Sequence, residues 1–144
     1  MTNTDLKLQP ELQDLFNNLK KDSANPELAF CSAKQAQIIL AKLLANKKIV
    51  VEALIPSFHW VGAKEILEKR KKMADRFLVN HSELKKQSTK SNFSYWSNKE
   101  IKMSVYLLPD LVVIIGKQAI FVKDKLIGAS FRAIFELFWL EAGK

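Results

Sequence analysis

The sequence predicts an α/β domain, a mixed sheet flanked by helices, with elements in the order α-β-α-β-α-β-loop-β-β-β-α. Three observations lead there. From Glu27 to Val79 strand-like and helical periodicities alternate, the grammar of parallel strands joined by crossovers. From Ile101 onward three apolar strands follow one another across short turns, the grammar of an antiparallel meander. In the closing helix, Ile127, Phe131, Ile134, Phe135, Phe138 and Trp139 recur at spacings of three and four, a broad aromatic stripe that only something large and flat can cover.

Length and composition set the frame. A chain of 144 residues with 48% hydrophobic and 26% charged residues has the size and balance of one folded unit. We divide it into an N-terminal amphipathic helix in residues 1–25 and a single α/β domain in residues 26–144. The longest apolar runs fall far short of the roughly 18 residues that a spanning helix requires, so no membrane partner is expected. The polar N-terminus lacks the basic start and apolar stretch of a secretory signal, and a lone cysteine, Cys31, fits a reducing cytoplasm.

Each element has its own signal. Leu8, Leu12, Leu15, Phe16 and Leu19 share one helical face, with Pro10 tolerated in the first turn. After Asn25 and Pro26, ELAF reads as a strand. Ser32 is placed to cap a helix from about Ala33 to Ala45, with Ala36, Ile39, Leu40, Leu43 and Leu44 inward. Ile49 to Ile55, rich in β-branched residues and stopped by Pro56, is the clearest buried strand. A helix over Val61 to Ala74 and a short strand over Arg76 to Val79 follow. His81 to Lys99 has no period and reads as a surface loop carrying Phe93, Tyr95 and Trp96. IKMSVYLL begins the meander, and Gly116-Lys117 has glycine first, as a type II′ turn requires. Asp124 caps the closing helix, and Gly128 inside it implies a neighbouring backbone passing close by.

The net charge of +8 is uneven. Residues 1–30 carry three Lys against five acids, whereas residues 64–90 carry nine Lys or Arg against four. Lys69, Arg70, Lys71, Lys72 and Arg76, with Lys85, Lys86 and Lys90 in the loop, form a candidate phosphate-binding surface, and Tyr95 and Trp96 are candidate stacking platforms for unpaired bases. The competing reading is a solvated helix face partly neutralised by Glu65, Glu68 and Asp75.

The final stretch, VVIIGKQAIFVKDKLIGASFRAIFELFWLEA, resembles the end of TrmB-type transcriptional regulators, in which a hairpin leads into a helix of the form FRxIFExxW. Upstream, AFCSAKQAQIILAKLLANKKIVVEALIPS is similar to the strand, helix and strand that open the effector domain of that family, and EILEKRKKMADRFLVN to its next helix and strand. The resemblance covers about residues 27–142. It implies a phospholipase D-like fold and a regulatory role without catalysis. A full regulator also carries a winged helix and a dimerising helix ahead of this domain. Residues 1–25 hold one helix, so operator binding is not carried over, and a separately encoded DNA-binding partner is implied instead. The family's sugar-binding residues find no motif match.

Several chemistries are excluded by residue type and spacing. Phospholipase D-type transfer needs a nucleophilic His with a Lys two positions on. Here His59 is followed by Trp60 and Val61, and His81 by Ser82 and Glu83. A phosphatase loop opening at Cys31 needs an Arg six positions later, where Gln37 stands, and the segment between has no glycine to wrap a phosphate. Two histidines and one cysteine do not make a structural zinc site, and no cofactor motif is present.

Two roles survive. One is a non-enzymatic effector-type domain, a homodimer through its N-terminal and C-terminal helices, with His59 and Trp60 as candidate ligand contacts in the corner after strand Ile49 to Ile55. The other is a nucleic-acid binder using residues 64–96.

Overall fold

The computed structural model of the chain describes residues 27–56, 63–70, 72–80, 93–96 and 100–142, together with 13, 14 and 17; the side chains of 63, 64, 93 and 96 lie outside that description. In chain order the elements are β1 (Glu27–Ser32), α1 (Ala33–Leu44), β2 (Glu52–Ile55), α2 (Ala63–Lys69), β3 (Arg76–Asn80), β4 (Phe93–Trp96), β5 (Ser104–Leu108), β6 (Leu111–Ile115), β7 (Gln118–Lys123) and α3 (Lys125–Glu141). The seven strands form one sheet in the order β1-β7-β6-β5-β2-β3-β4. Strands β2, β3 and β4 are parallel, and all other pairings are antiparallel. The mixed sheet expected from the sequence is therefore present. No helix among the described residues is long and apolar enough to cross a membrane.

One face of the sheet packs under α1 and α2, where Ala36, Ile39, Leu40, Val51, Ala53, Ile55, Phe77, Val79, Tyr106, Val113 and Phe121 form the larger core. The other face packs under α3, where Leu78, Ile101, Leu107, Val112 and Phe135 form the smaller one. Helix α1 starts where expected, with Ser32 Oγ accepting from the Gln35 N–H at 3.2 Å. At α3, Asp124 Oδ1 accepts from Leu126 N at 2.8 Å and Ile127 N at 3.2 Å, so two of the orphan donors of the first turn are satisfied.

Four local expectations give way. The first strand does not join β2. It pairs antiparallel with β7 at the far edge, from Glu27↔Lys123 to Ser32↔Gln118. Its alternating half-buried and exposed residues suit an edge, whereas β2 is covered on both faces and sits centrally. Second, the long surface loop contains β4, with Tyr95 opposite Val79 in parallel register. The alternation F-S-Y-W is strand-like, but four residues set among Ser, Asn and Lys are too few for the period to stand out. Third, helix α2 ends at Lys69, because Arg70 turns into the core. Fourth, Ile115 pairs with Ala119, so three residues rather than two stand between the last paired positions of β6 and β7, and Gly116 lies outside the left-handed region that a type II′ turn requires.

Left-handed backbone occurs instead at Asp110, with φ of 59°, in the Pro109-Asp110 turn between β5 and β6. Proline at the first central position and positive φ at the second is the type II pattern. The Asp110 carbonyl accepts from Asp124 N at 3.1 Å, and a Cβ added to Gly128 would stand 3.6 Å from Asp110 Cα. The close backbone expected at Gly128 is this turn, at ordinary contact distance. Farther along α3, Phe135, Glu136 and Trp139 reach Arg76 on β3. The helix thus starts over the β5–β6 turn and crosses β5 and β2 toward β3, lying across the strands rather than along them.

Candidate nucleic-acid and ligand site

The basic cluster divides into residues turned inward and residues left in solvent. Arg70 is 2% exposed. Its Nε donates to Asp75 Oδ2 at 2.8 Å, and its Nη2 to Asp75 Oδ1 at 3.0 Å and to the Ile49 carbonyl at 2.7 Å. Its Nη1 donates to the carbonyls of Leu44 at 2.8 Å and Asn46 at 3.0 Å. All five guanidinium donors are thereby used. Asp75 Oδ1 also accepts from Val51 N at 2.9 Å. The group thus fastens the exit of α1, the entry of β2 and the entry of β3 to one another. Arg70 is not available to a phosphate, which corrects its place among the candidate contacts. The reason is its position one residue past α2, where the chain turns back toward the sheet.

Arg76 is committed as well. Its Nε donates to Glu52 Oε2 at 2.9 Å, Nη2 also pairs with Glu52, and Nη2 meets Glu136 Oε2 of α3 at 2.7 Å. The guanidinium carbon lies 5.5 Å from the Phe135 ring centroid and 5.3 Å from that of Trp139, whose rings are 6.0 Å apart and near-parallel at 23°. Burial by itself depresses the Arg76 pKa, but the hydrogen bonds it donates to Glu136 and Glu52, with the attraction of their charges, outweigh it and the pKa is raised. The side chain therefore carries its charge permanently as a bolt between β2, β3 and α3 and is withdrawn from the phosphate-binding candidates. Glu52 and Glu136 were not legible as its partners, since the signal is the register Glu52↔Arg76, which needs the sheet to be known.

Lys69 and Lys72 are exposed. Both stand at the amino end of β3, whereas Tyr95 and Trp96 end β4 opposite Val79 and Asn80. Three residues of strand, roughly 10 Å, separate these backbone levels, so Lys69 and Lys72 and the β4 positions 95 and 96 stand at different levels of the sheet. Tyr95 is half-buried. Lys71, Lys85, Lys86, Lys90, His59 and Trp60 lie outside the described residues.

At the carboxyl end of β3, Asn80 bridges to the residue before the meander, donating to the Ile101 carbonyl at 3.1 Å and accepting from Ile101 N at 2.8 Å. Both the oxygen and the nitrogen of this amide are engaged by backbone, and the side chain serves the fold. Cys31 is half-buried in β1, and burial pushes its thiol above the ordinary range, the opposite of what a nucleophile needs. Among the described residues no group of three His, Cys, Asp or Glu is placed to hold a metal ion.

The division of the cluster has a direct readout in stability. Arg76→Ala should cost about 1–3 kcal/mol in urea unfolding through the lost ion pairs and ring contacts, whereas Lys69→Ala and Lys72→Ala should each stay within about 0.5 kcal/mol of the parent. Equal silence at all three positions would remove Arg76 from the interior framework.

No family model and no curated protein matches the sequence. Among solved structures the chain is similar to TrmBL2, an archaeal chromatin protein whose structure is described as showing a novel mode of DNA binding, with a TM-score of 0.60 and 13% identity over 92% of this chain and 59% of that one. It is also similar to Nuc, a phospholipase D family member from Salmonella typhimurium, with a TM-score of 0.61 and 11% identity over 82% of this chain and 97% of that one. The chain thus spans less than two thirds of TrmBL2 and nearly the whole length of Nuc. At such identities the likeness concerns the fold alone, and that fold, which the closing hairpin and helix implied, is phospholipase D-like.

Proposed function

We propose that the chain is a non-enzymatic regulatory domain of effector type that works through protein contacts, foremost with a second copy of itself. The observation that carries this reading is the outer face of α3. Leu126, Leu137 and Leu140 are 77, 64 and 60% exposed, on the side of the helix opposite Gly128 and Phe135. With Ala133 they give a seven-residue recurrence, 126, 133, 140, of the kind that pairs helices. Single exposed leucines are ordinary, but an aligned set on one helix favours a partner. The absence of the His-x-Lys arrangement at His59 and His81 supports the non-enzymatic side, and the fold shared with TrmBL2 is in keeping with a regulatory setting. A small-molecule contact, on this reading, falls to His59 and Trp60 in the segment after β2, and DNA reading falls to a separate chain. Sedimentation velocity over a concentration series tests the proposal. The parent should self-associate, and Leu137→Glu with Leu140→Glu should sediment as monomer with an unchanged unfolding midpoint. A parent that stays monomeric at high concentration contradicts it.

A second reading, nucleic-acid binding through residues 64–96, is favoured by the exposure of Lys69 and Lys72 and by the DNA binding described for TrmBL2. The inward commitment of Arg70 and Arg76 reduces the charge it has to work with. Fluorescence anisotropy with single- and double-stranded oligonucleotides at about 50 mM salt, where counterion release favours binding, decides it. Binding that weakens steeply with salt and with Lys69→Ala and Lys72→Ala supports this reading, and no binding at that salt ends it.

A further inference from the structure

The α3 face of the sheet is one helix short. Helix α3 lies across the strands and is about 10 Å wide, while strands of five or six residues such as β5, β6 and β7 run roughly 17–20 Å. On the opposite face two helices, α1 and α2, cover the sheet, and most described side chains of the middle strands that point there are buried, among them Ala53, Ile55, Phe77, Val79, Tyr106, Leu108, Val113, Ala119 and Phe121, with Ser104 half-buried. On the α3 face the registers Phe30↔Ile120, Ile120↔Ile114, Ile114↔Val105 and Val105↔Leu54 line up five apolar residues in a single row across β1, β7, β6, β5 and β2. None of the five is fully buried, and Phe30 at the edge is 65% exposed, with Leu28 beside it at 61%. Helix α3 lies across the strands next to this row. One flank of α3, with Glu136 and Trp139, faces Arg76; by the 3.6-residue turn the other flank carries Ile127 and Ile134, both exposed. Row and flank together form an apolar trough.

We propose that the trough is the seat of the chain's own N-terminal helix, which docks there in the same molecule through Leu8, Leu12, Leu15, Phe16 and Leu19. Four observations select this occupant. It is an amphipathic segment that leads directly into β1, the strand at the end of the row. A helix over residues 8–19, as the apolar spacing predicts, would be about 18 Å long, and the row, four strand spacings wide, is about 19 Å long. The seven residues 20–26 reach at most about 25 Å, ample for the three strand residues between Glu27 and Phe30. Gln13, Asp14 and Asn17, which are helical, are all exposed and lie on the face opposite the leucine stripe. The helix therefore shows its polar side to solvent and has its apolar side to bury, and β1, whose alternation leaves Leu28 and Phe30 uncovered, supplies the matching surface.

Cysteine cross-linking in the full chain tests this. In a Cys31→Ser background, Phe30→Cys is combined in turn with Leu8→Cys, Leu12→Cys, Leu15→Cys and Leu19→Cys, and, as polar-face controls, with Gln13→Cys, Asp14→Cys and Asn17→Cys. Mild oxidation should give an intramolecular disulfide for one or more stripe positions, at a yield about tenfold or more above every control, since bridging demands Cβ atoms within roughly 4.5 Å. Covalent dimers in place of monomeric disulfides would give the trough to a second copy, and stripe yields no higher than those of the controls would leave the helix elsewhere; either result overturns the proposal. Hydrogen exchange of the unlinked chain gives a second readout: Leu15→Glu with Phe16→Glu should accelerate exchange in β1 about tenfold while leaving β2 and β3 unchanged, and unchanged exchange in β1 also overturns it.

Discussion

One buried guanidinium holds together the half of the molecule that carries the parallel strands. The Arg70 side chain gathers three backbone carbonyls and a carboxylate, and Asp75 in turn accepts the Val51 N–H at the point where β2 begins. Helix α1 ends with carbonyls that its own turns do not satisfy, and Leu44 finds its donor here. In the connection from α1 to β2, the carbonyls of Asn46 and Ile49, where they come against Arg70, find their donors here too. A buried ion pair is poor evidence of net stability by itself, because desolvating two charges offsets their attraction. Its value in this fold is geometric: the planar fork fixes where three chain segments meet, and a point charge such as lysine cannot reproduce five divergent donors.

The second arginine plays the matching part on the opposite face. Arg76 stands one strand residue beyond the turn that Asp75 anchors, beside Glu52 in register, and reaches α3 through Glu136 and two aromatic rings. The helix is pinned at its other end by the Asp110 turn and the Asp124 cap. Between these two fixings it crosses the strands, and that orientation leaves Leu54, Val105, Ile114 and Ile120 beside it half-buried and Phe30 at the edge exposed. The features that suggest partners, the trough and the outer leucines of α3, are thus consequences of how two charged side chains and one tight turn position a single helix.

Legibility from sequence followed the range of the interactions involved. The caps at Ser32 and Asp124, the helix Ala33–Leu44 and the meander came through because their signals are local, within a few residues. The place of β1 did not, because nothing in ELAFCS distinguishes an edge beside β7 from a neighbour of β2; only pairing with residues some ninety positions away decides it. Strand β4 was hidden by its shortness, and the Gly116 turn by a register that one extra residue shifts. The basic cluster was the most misleading feature. Lys69, Arg70, Lys72 and Arg76 look alike as charges in a row, yet the structure uses the two arginines as interior fasteners and leaves the two lysines in water. Composition counts charge; it does not show which charges find partners. The resemblance to TrmB-type effector domains, resting on the closing hairpin and helix, carried the fold where periodicity alone stopped at an α/β class.

Both arginines are committed to contacts within the chain, and the joining of α1, β2 and β3 rests on the Arg70 fork being structural. Urea unfolding of Arg70→Met, which leaves the buried Asp75 without its cation, tests it most directly. The account predicts a loss of about 3 kcal/mol or more, as for a buried pair broken on one side, with the slope of the transition unchanged. A loss under about 0.5 kcal/mol, the range of an ordinary surface substitution, would contradict it and return Arg70 to the solvent-facing cluster.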